Sequence, residues 1–414
     1  MSGGFFTCVP LRAKRLFVTS RSAPAGIIGA MRIRELTAAC CLAGMAMTHL
    51  PATAQAGWQT RLHAGLAAID PGANSPPPGV YVRDLASGES ASFHGDENWY
   101  LASTVKVPIA IAVLRAVEQK RLSLDTLVTL RSGDYVDGSG STNRLPAGSV
   151  LQVRKLMEQM IIYSDNTASD LLIDQVGIGR VNAVVAELVP HAGFGPVTSL
   201  ADVRRAVYGG LSPAAEKLSG RDWLRLNALP DDTARMTLFS SLTGVAPSAF
   251  HHGSLDAAYD AYYAGGANSA RLDAYADLLA ALAGGRAVGP ESTHYLLGLM
   301  GRIATGRQRV GAGLPPGTAF AHKTGTQRRR ICDSGIVSTG GKRGQPLQQV
   351  LLVSCVRDAP SLKQAENTLM QVGQALCRSG LITQGIPDAP TCHAAPGTSR
   401  RAAAAAAPVT VPGR

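Results

Sequence analysis

One stretch of the chain, Val105–Leu122, is apolar at almost every position. A helix that is apolar all round is a buried one, so this pattern predicts a helix enclosed by the core. Pro108 is tolerated only in the first turn of a helix, which places the start near Ser103–Val105. Helical spacing of apolar residues predicts further helices over residues 57–75, 153–162, 167–175 and 361–377.

Short runs separated by turn-rich stretches predict strands. They cover residues 79–83, 90–93, 319–326, 331–339 and 348–357. Between them, residues 181–300 have a mostly helical pattern, and residues 241–270 are expected to form a long loop or insertion. The order is helix, two strands, many helices, three strands and helix. Because strands and helices fall in separate runs, an antiparallel α+β fold is expected.

Composition indicates a globular protein, since 45% of the 414 residues are hydrophobic and 17% are charged. The formal net charge is +11. Residues 1–56 hold six basic residues and one acid, so the remainder carries 11 − 5 = +6. No basic cluster is interleaved with aromatic residues, and nucleic-acid binding is therefore not expected.

The N-terminal region is typical of an export signal. A basic start at Met31–Arg34 precedes the apolar run Leu36–Met47, and Ala54–Ala56 has the small residues of a cleavage site. The run is far shorter than the roughly 20 residues of a membrane span. We therefore expect residues 1–56 to be an upstream extension and signal peptide, with no stable membrane anchor after processing. An N-terminal core helix is the alternative.

The signal predicts a secreted or periplasmic protein. One domain is expected over residues 57–386, followed by a disordered tail over 387–414. Four cysteines remain after processing: Cys332, Cys355, Cys377 and Cys392. A hairpin turning at residues 340–344 puts Cys332 roughly opposite Cys355, which leaves Cys377 to pair with Cys392. An oxidising compartment allows both disulfides. Buried free thiols remain the alternative, and none of the four has metal-ligand spacing.

Ser103 and Lys106 open the buried helix, one turn apart on one face. A serine hydroxyl becomes a good nucleophile when a nearby base takes its proton. A lysine amine among apolar neighbours loses its charge more readily and can be that base. Taken alone, the same spacing also occurs on many solvated helix faces.

Ser164, Asp165 and Asn166 lie between two predicted helices. A hydroxyl there can relay a proton to a leaving amine, and an amide can hold a substrate carbonyl. Serine, aspartate and asparagine are also good N-cap residues, so a simple helix cap is the alternative.

Lys323, Thr324, Gly325 and Thr326 lie on a predicted strand, where Lys323 and Gly325 face one way and the two threonines the other. The cation and hydroxyls can bind a carboxylate. Gly325 is expected to leave room for a ligand at the strand edge. An ordinary edge strand guarded by a lysine is the alternative.

The three motifs together, in this order, resemble those of class A β-lactamases and penicillin-binding proteins. The resemblance extends to residues 102–108 and 160–173, and covers about residues 57–380. It implies a five-stranded antiparallel sheet flanked by helices plus an all-helical subdomain, with the site between them. No metal or organic cofactor is implied, and a monomer is expected.

The resemblance also implies a role for each motif residue. Ser103 is the acylated nucleophile, Lys106 a general base, and Ser164 the proton shuttle. Asn166 positions the substrate amide, while Lys323 and Thr324 hold its carboxylate. The backbone N–H groups of Ser103 and Thr326 form the oxyanion hole. The small-molecule partner is then a β-lactam or a peptidoglycan peptide.

One feature of class A enzymes is missing: the Glu-x-x-x-Asn arrangement that activates water for deacylation. Residues 198–204, where this loop is expected, hold no such pair, and neither Glu216 nor Trp223–Asn227 fits. Three functions stay open. They are a class A-like β-lactamase with another base, a D-alanyl-D-alanine carboxypeptidase or slow penicillin-binding protein, and a non-catalytic binding module. The run Arg328–Arg330 is either a further carboxylate contact or a solvated strand end.

Overall fold

The computed structural model describes residues 57–72, 75–340, 347–383 and Cys392. The predictions for the N-terminal extension, the signal peptide and all but Cys392 of the C-terminal tail lie outside these residues. In the described ranges no helix has the length and apolar character needed to cross a membrane.

A five-stranded antiparallel sheet organises the domain, which confirms the predicted α+β architecture. Its strands are β1 (Gly79–Asp84), β2 (Ser90–Phe93), β7 (Ala319–Gln327), β8 (Arg330–Thr339) and β9 (Gln348–Arg357). The order across the sheet is β2-β1-β9-β8-β7, so β7 lies at an edge. Sequence patterns missed two small sheets, whose strands are β3 (Trp99–Tyr100) with β6 (Ser269–Ala270) and β4 (Leu127–Thr129) with β5 (Val150–Gln152).

Alternate residues of the strands face two separate cores. On one face, Val80 and Leu352 pack with the first and last helices, α1 (Trp58–Ala67) and α13 (Leu362–Arg378). On the other face, Tyr81 and Val353 pack against the helical part of the molecule. The sheet is therefore covered on both sides. The helix predicted over residues 57–75 is shorter than expected and ends at Ala67, ahead of Pro71 and Gly72.

The predicted buried helix is α2 (Lys106–Glu118), preceded by a 3-10 turn at Ala102–Val105. Ten of its residues are buried, as the all-round apolar pattern indicates. Around it lie the helices α3 (Val153–Ile162), α4 (Asn166–Val176), α5 (Ile178–Leu188), α10 (Leu272–Ala283) and α11 (Pro290–Met300). The short α12 (Val310–Gly313) leads into β7.

Residues 200–264 form a helical insert with its own small core. Its helices are α6 (Leu200–Gly209), α7 (Gly220–Asn227), α8 (Asp232–Thr243) and α9 (Leu255–Ala264). Of the two alternatives for residues 241–270, the insertion is confirmed and the long loop is wrong, because α9 lies within them. Ser254 caps α9 by accepting a hydrogen bond from the Ala257 N–H at 3.1 Å, and the following alanine- and tyrosine-rich run completes the helix.

The chain enters and leaves the insert at adjacent points. Phe194 forms a β-bridge with Ala270. The Gly195 N–H donates to the Ser269 carbonyl at 2.8 Å, and the Asn268 N–H donates to the Pro196 carbonyl at 2.9 Å. The insert is thus a closed excursion from the surrounding fold.

Both predicted disulfides are confirmed. Cys332 and Cys355 are direct partners in the register of β8 and β9 and are bonded. Cys377, near the end of α13, is bonded to Cys392. The first bond follows from the hairpin and the second from the two cysteines that remain.

Candidate active site

Ser103 lies on the 3-10 turn that precedes α2, where it is half-buried. The turn is held in an unusual conformation, because Ala102 has a φ of 48°, which is costly for a residue with a side chain. From α10, the Tyr275 hydroxyl donates to the Thr104 carbonyl at 2.9 Å. The position of Ser103 is therefore fixed by packing and not by the helix alone.

Lys106 lies within hydrogen-bonding distance of Ser103, with 3.1 Å between Nζ and Oγ. Its side chain is fully buried. The same amine donates to the carbonyl of Ser164 at 2.6 Å and to Asn166 Oδ1 at 2.6 Å. The amine is thereby aimed at the serine by two fixed acceptors.

Burial lowers the pKa of Lys106 from 10.5 to about 7. The nearby carboxylates of Asp165 and Asp170 oppose this shift, and the Arg204 guanidinium adds to it. An amine with a pKa near 7 is about half uncharged at neutral pH, which suits it to accept a proton.

If Lys106 is the base for Ser103, as the family resemblance implies, the rate at which a β-lactam acylates Ser103 should rise as the pH increases through about 7 and level off above it. Below that pH the Lys106 amine is protonated and cannot take the Ser103 proton. The second-order rate constant of acylation by benzylpenicillin, measured between about pH 5.5 and pH 9 at constant ionic strength, checks this. A flat profile, or a rate that is still rising steeply at pH 9, would contradict it.

The second motif combines a helix cap with two groups that face the site. Asp165 caps α4 by accepting from the Ala168 N–H at 2.9 Å, and also accepts from the Thr142 N–H at 2.8 Å. Asn166 donates from Nδ2 to the Asp137 carbonyl at 2.6 Å. The helix-cap alternative therefore holds for Asp165, whereas Ser164 and Asn166 both contact Lys106.

Lys323 reaches the same point from β7. Its Nζ lies 3.0 Å from Ser164 Oγ, which is also 3.3 Å from Lys106 Nζ. The serine hydroxyl therefore lies between two amines. Lys323 is fully buried, and burial together with the charges of Lys106 and Arg309 holds its pKa well below 10.5.

The three residues that follow Lys323 on β7 have different surroundings. The Thr324 hydroxyl is 2.5 Å from the Thr305 hydroxyl. Gly325 does not provide open space for a ligand as expected: a Cβ there would lie 2.4 Å from the Leu101 carbonyl oxygen. This glycine instead lets β7 approach the turn that carries Ser103. Thr326 is exposed.

Arg309 was missed by the sequence analysis, because no motif surrounds it. It is only 3% exposed. Its Nη2 donates to Thr326 Oγ1 at 2.7 Å, and its Nη1 donates to the Gly325 carbonyl at 3.0 Å. Glu366 of α13 pairs with it at 3.2 Å. Arg309 thus supports the back of the strand that faces the site.

The segment in which class A enzymes would carry the water-activating glutamate holds an arginine, Arg204, in this protein. Residues 198–204 lead into α6, and Arg204 on that helix forms an ion pair with Asp137. The carboxylate of Asp170 accepts hydrogen bonds from the Leu200 and Ala201 N–H groups at 2.7 and 2.8 Å. Burial raises its pKa to about 7.

Glu216 and Trp223–Asn227, which do not fit the missing motif in the sequence, both lie in the helical insert. Glu216 is exposed on a 3-10 turn, and Trp223 packs in the core of the insert. The run Arg328–Arg330 forms ion pairs with carboxylates of the insert and of the segment after β9. They are Asp232, Asp256, Asp260 and Asp358.

Comparisons with known proteins agree with this arrangement. The family described as "Beta-lactamase enzyme family" matches residues 62–379. The chain is 31% identical over 181 residues to β-lactamase L2 of Stenotrophomonas maltophilia, covering 39% of this chain and 59% of the relative. It is 36% identical over 171 residues to a β-lactamase of Amycolatopsis lactamdurans, covering 36% and 55%. The chain thus matches little more than half the length of each.

Solved structures share the fold over most of the domain. The β-lactamase of Sphaerobacter thermophilus DSM 20745 is 25% identical, with a TM-score of 0.55, covering 79% of this chain and 98% of its own. PBP-A, at 21% identity and a TM-score of 0.53, covers 77% and 94%. With a family match over residues 62–379 and a serine, two lysines and an amide meeting at one point, this chain belongs to the β-lactamase enzyme family.

Proposed function

We propose that this protein is a serine β-lactamase that opens the β-lactam amide through an acyl-enzyme on Ser103. The observation that carries the proposal is the buried amine of Lys106, 3.1 Å from Ser103 Oγ and with its pKa lowered to about 7. The names of the relatives, which are β-lactamases, point the same way.

The reaction is a transfer of the acyl group to the serine. Ser103 Oγ bonds to the lactam carbonyl carbon, and its proton passes to Lys106 Nζ. When the carbon–nitrogen bond breaks, Ser164 gives its proton to the leaving nitrogen and is reprotonated from the neighbouring amines. This relay is supported by distances of 3.3 and 3.0 Å from Ser164 Oγ to Lys106 and Lys323.

The remaining motif residues bind the substrate in this proposal. Asn166 holds the substrate amide, and Lys323 and Thr324 hold its carboxylate, with Gly325 shaping the strand beside them. The backbone N–H groups of Ser103 and Thr326 stabilise the developing oxyanion. Arg309 supports this role, since it orients the Thr326 side chain from behind β7.

A second candidate is a penicillin-binding protein or D-alanyl-D-alanine carboxypeptidase with slow release of the acyl group from β-lactams. Specific contacts favour it. Among the described residues near Lys106, Asp165 and Asp170 each accept two backbone N–H groups, and Asp137 is paired with Arg204. A carboxylate whose oxygens already accept hydrogen bonds is poorly placed to take a proton from water, so acylation should outpace deacylation.

The experiment that separates the two is intact-mass spectrometry of the protein with benzylpenicillin, followed over time. The proposal expects transient acylation and catalytic release of the opened lactam, checked with a chromogenic cephalosporin. An adduct that persists for hours, together with cleavage of a peptide ending in D-alanyl-D-alanine, would favour the second candidate. An intact fold with no adduct would contradict both.

We also propose that the protein is exported and acts in the periplasm or outside the cell, as one domain over residues 57–386. The support is the signal-like pattern of residues 31–56 and the two disulfides, which are stable in an oxidising compartment. The intact mass of the unlabelled exported protein checks the proposal, because a chain that retains residues 31–56 would contradict processing near Gly57.

A further inference from the structure

A small cavity lies where the helical insert meets the catalytic part of the molecule. Its volume is about 180 Å³, enough for a carboxyl group and a few neighbouring atoms. Its lining comes from all four helices of the insert, α6 to α9, from the loop between β4 and β5, and from the residues just after β7. The residues used below are Asp137, Arg204, Tyr208, Asn227, Tyr259 and Arg328.

Arg204 brings free hydrogen-bond donors to this cavity. Its side chain is only 11% exposed, and its Nε donates to Asp137 Oδ1. The two Nη groups make no hydrogen bond to any other residue in the described part of the chain. A guanidinium whose two outer nitrogens are free matches a carboxylate, which accepts two parallel hydrogen bonds.

Two phenols and an amide add to these donors. The hydroxyls of Tyr208 and Tyr259 and the Asn227 amide also have no hydrogen-bond partner among the described residues. Burial raises the pKa of both tyrosines, so their hydroxyls stay protonated and can donate. All three lining arginines are ion-paired, but Arg328 uses its outer nitrogens on Asp232 and Arg235 uses its own on Asp232 and the Leu229 carbonyl. Arg204 pairs with Asp137 through Nε alone, so its two Nη groups and the phenols remain to bind a ligand.

The cavity adjoins the catalytic centre on the side of Asn166. The carbonyl of Asp137, a lining residue, accepts the hydrogen bond from Asn166 Nδ2 at 2.6 Å. Arg328, another lining residue, is two positions beyond Thr326. If Asn166 holds the amide of the acyl side chain, as proposed above, the cavity lies beyond that amide.

We propose that this cavity is a subsite for a carboxylate on the acyl side chain of the substrate, with Arg204 as its principal ligand and Tyr208 and Tyr259 as supporting donors. The inference rests on the proposed function, because it places the ligand on an acylating substrate. The proposal gives the insert a role in substrate specificity. The three catalytic motifs lie outside the insert.

The test compares two penicillins that differ only in a side-chain carboxylate, benzylpenicillin and α-carboxybenzylpenicillin. The ratio of their acylation rate constants at Ser103 should favour the carboxylated compound about tenfold or more, as for hydrogen bonds between charged groups. Arg204→Gln should bring the ratio close to one, and Tyr259→Phe should lower it about threefold. Arg205→Gln is the matched control, since Arg205 is an exposed neighbour on the same helix.

A wild-type ratio near one, or a preference that survives in Arg204→Gln, would overturn the subsite while leaving acylation intact. If neither penicillin labels Ser103, the proposed function fails and the subsite is judged by binding alone. For that, Ser103→Ala protein is titrated with phenylmalonate and with phenylacetate in a thermal-shift assay. Stabilisation by phenylmalonate that depends on Arg204 supports the subsite, and equal responses to the two acids overturn it.

Discussion

Replacing Ser103 with alanine is expected to abolish labelling by β-lactams while leaving the melting temperature almost unchanged. The nucleophilic oxygen is removed, so no acyl-enzyme can form at this position. The loss to the fold is small, because Lys106 keeps its hydrogen bonds to the Ser164 carbonyl and to Asn166 Oδ1. A single lost hydrogen bond of this kind is worth about 1 kcal/mol.

Intact-mass spectrometry with benzylpenicillin measures the labelling, and a thermal melt measures the fold. Ser241→Ala, at an exposed serine of α8, serves as the control and should label like the wild type. Labelling that persists in Ser103→Ala would remove this serine from the mechanism. A large fall in melting temperature would mean that the loss of labelling reports on the fold.

Lys106→Met should slow acylation of Ser103 by about 10²- to 10⁴-fold, the usual contribution of a positioned general base. Methionine fills nearly the same buried volume but cannot accept the serine proton. The variant should also lose the rise in rate near pH 7, because that step reports the titration of the Lys106 amine. The measurement is the second-order rate constant of acylation as a function of pH.

The control for this variant is Lys155→Met, since Lys155 is an exposed lysine of α3 that pairs with Glu158 on the surface. Its acylation rate should match that of the wild type. If Lys106→Met retained both the wild-type rate and the pH step, another group would be the proton acceptor. Asp170, whose pKa is raised to about 7, would then be the next residue to replace.

The pairing of Ser103 with Lys106 could be predicted from the sequence because it is local. Two residues three apart at the start of a helix share a face, whatever the rest of the chain does. The convergence of Ser164 and Lys323 could not be obtained in this way, since the two are 159 positions apart. Only the order of the motifs and the family resemblance indicated it.

The contacts of Arg309 and Arg204 were not predicted, because each depends on how distant elements pack. Arg309 supports β7 from the segment before α12, and Arg204 meets Asp137 across the boundary of the insert. Neither arginine has a local pattern that separates it from the many arginines on the surface. The helix α9 was missed for a different reason: the residues just before it are rich in glycine, serine and histidine, which favoured a loop over the whole 241–270 segment.

The closed excursion at residues 200–264 has a consequence for how this fold can change. Because the segments around Gly195 and Ser269 are already hydrogen-bonded to each other, the excursion can lengthen or shorten at little cost in loop-closure entropy. The scaffold that carries Ser103 and Lys106 need not move when it does. If the insert holds the proposed carboxylate subsite, the preference for substrate side chains can change by gain or loss of whole helices while the catalytic residues stay in place.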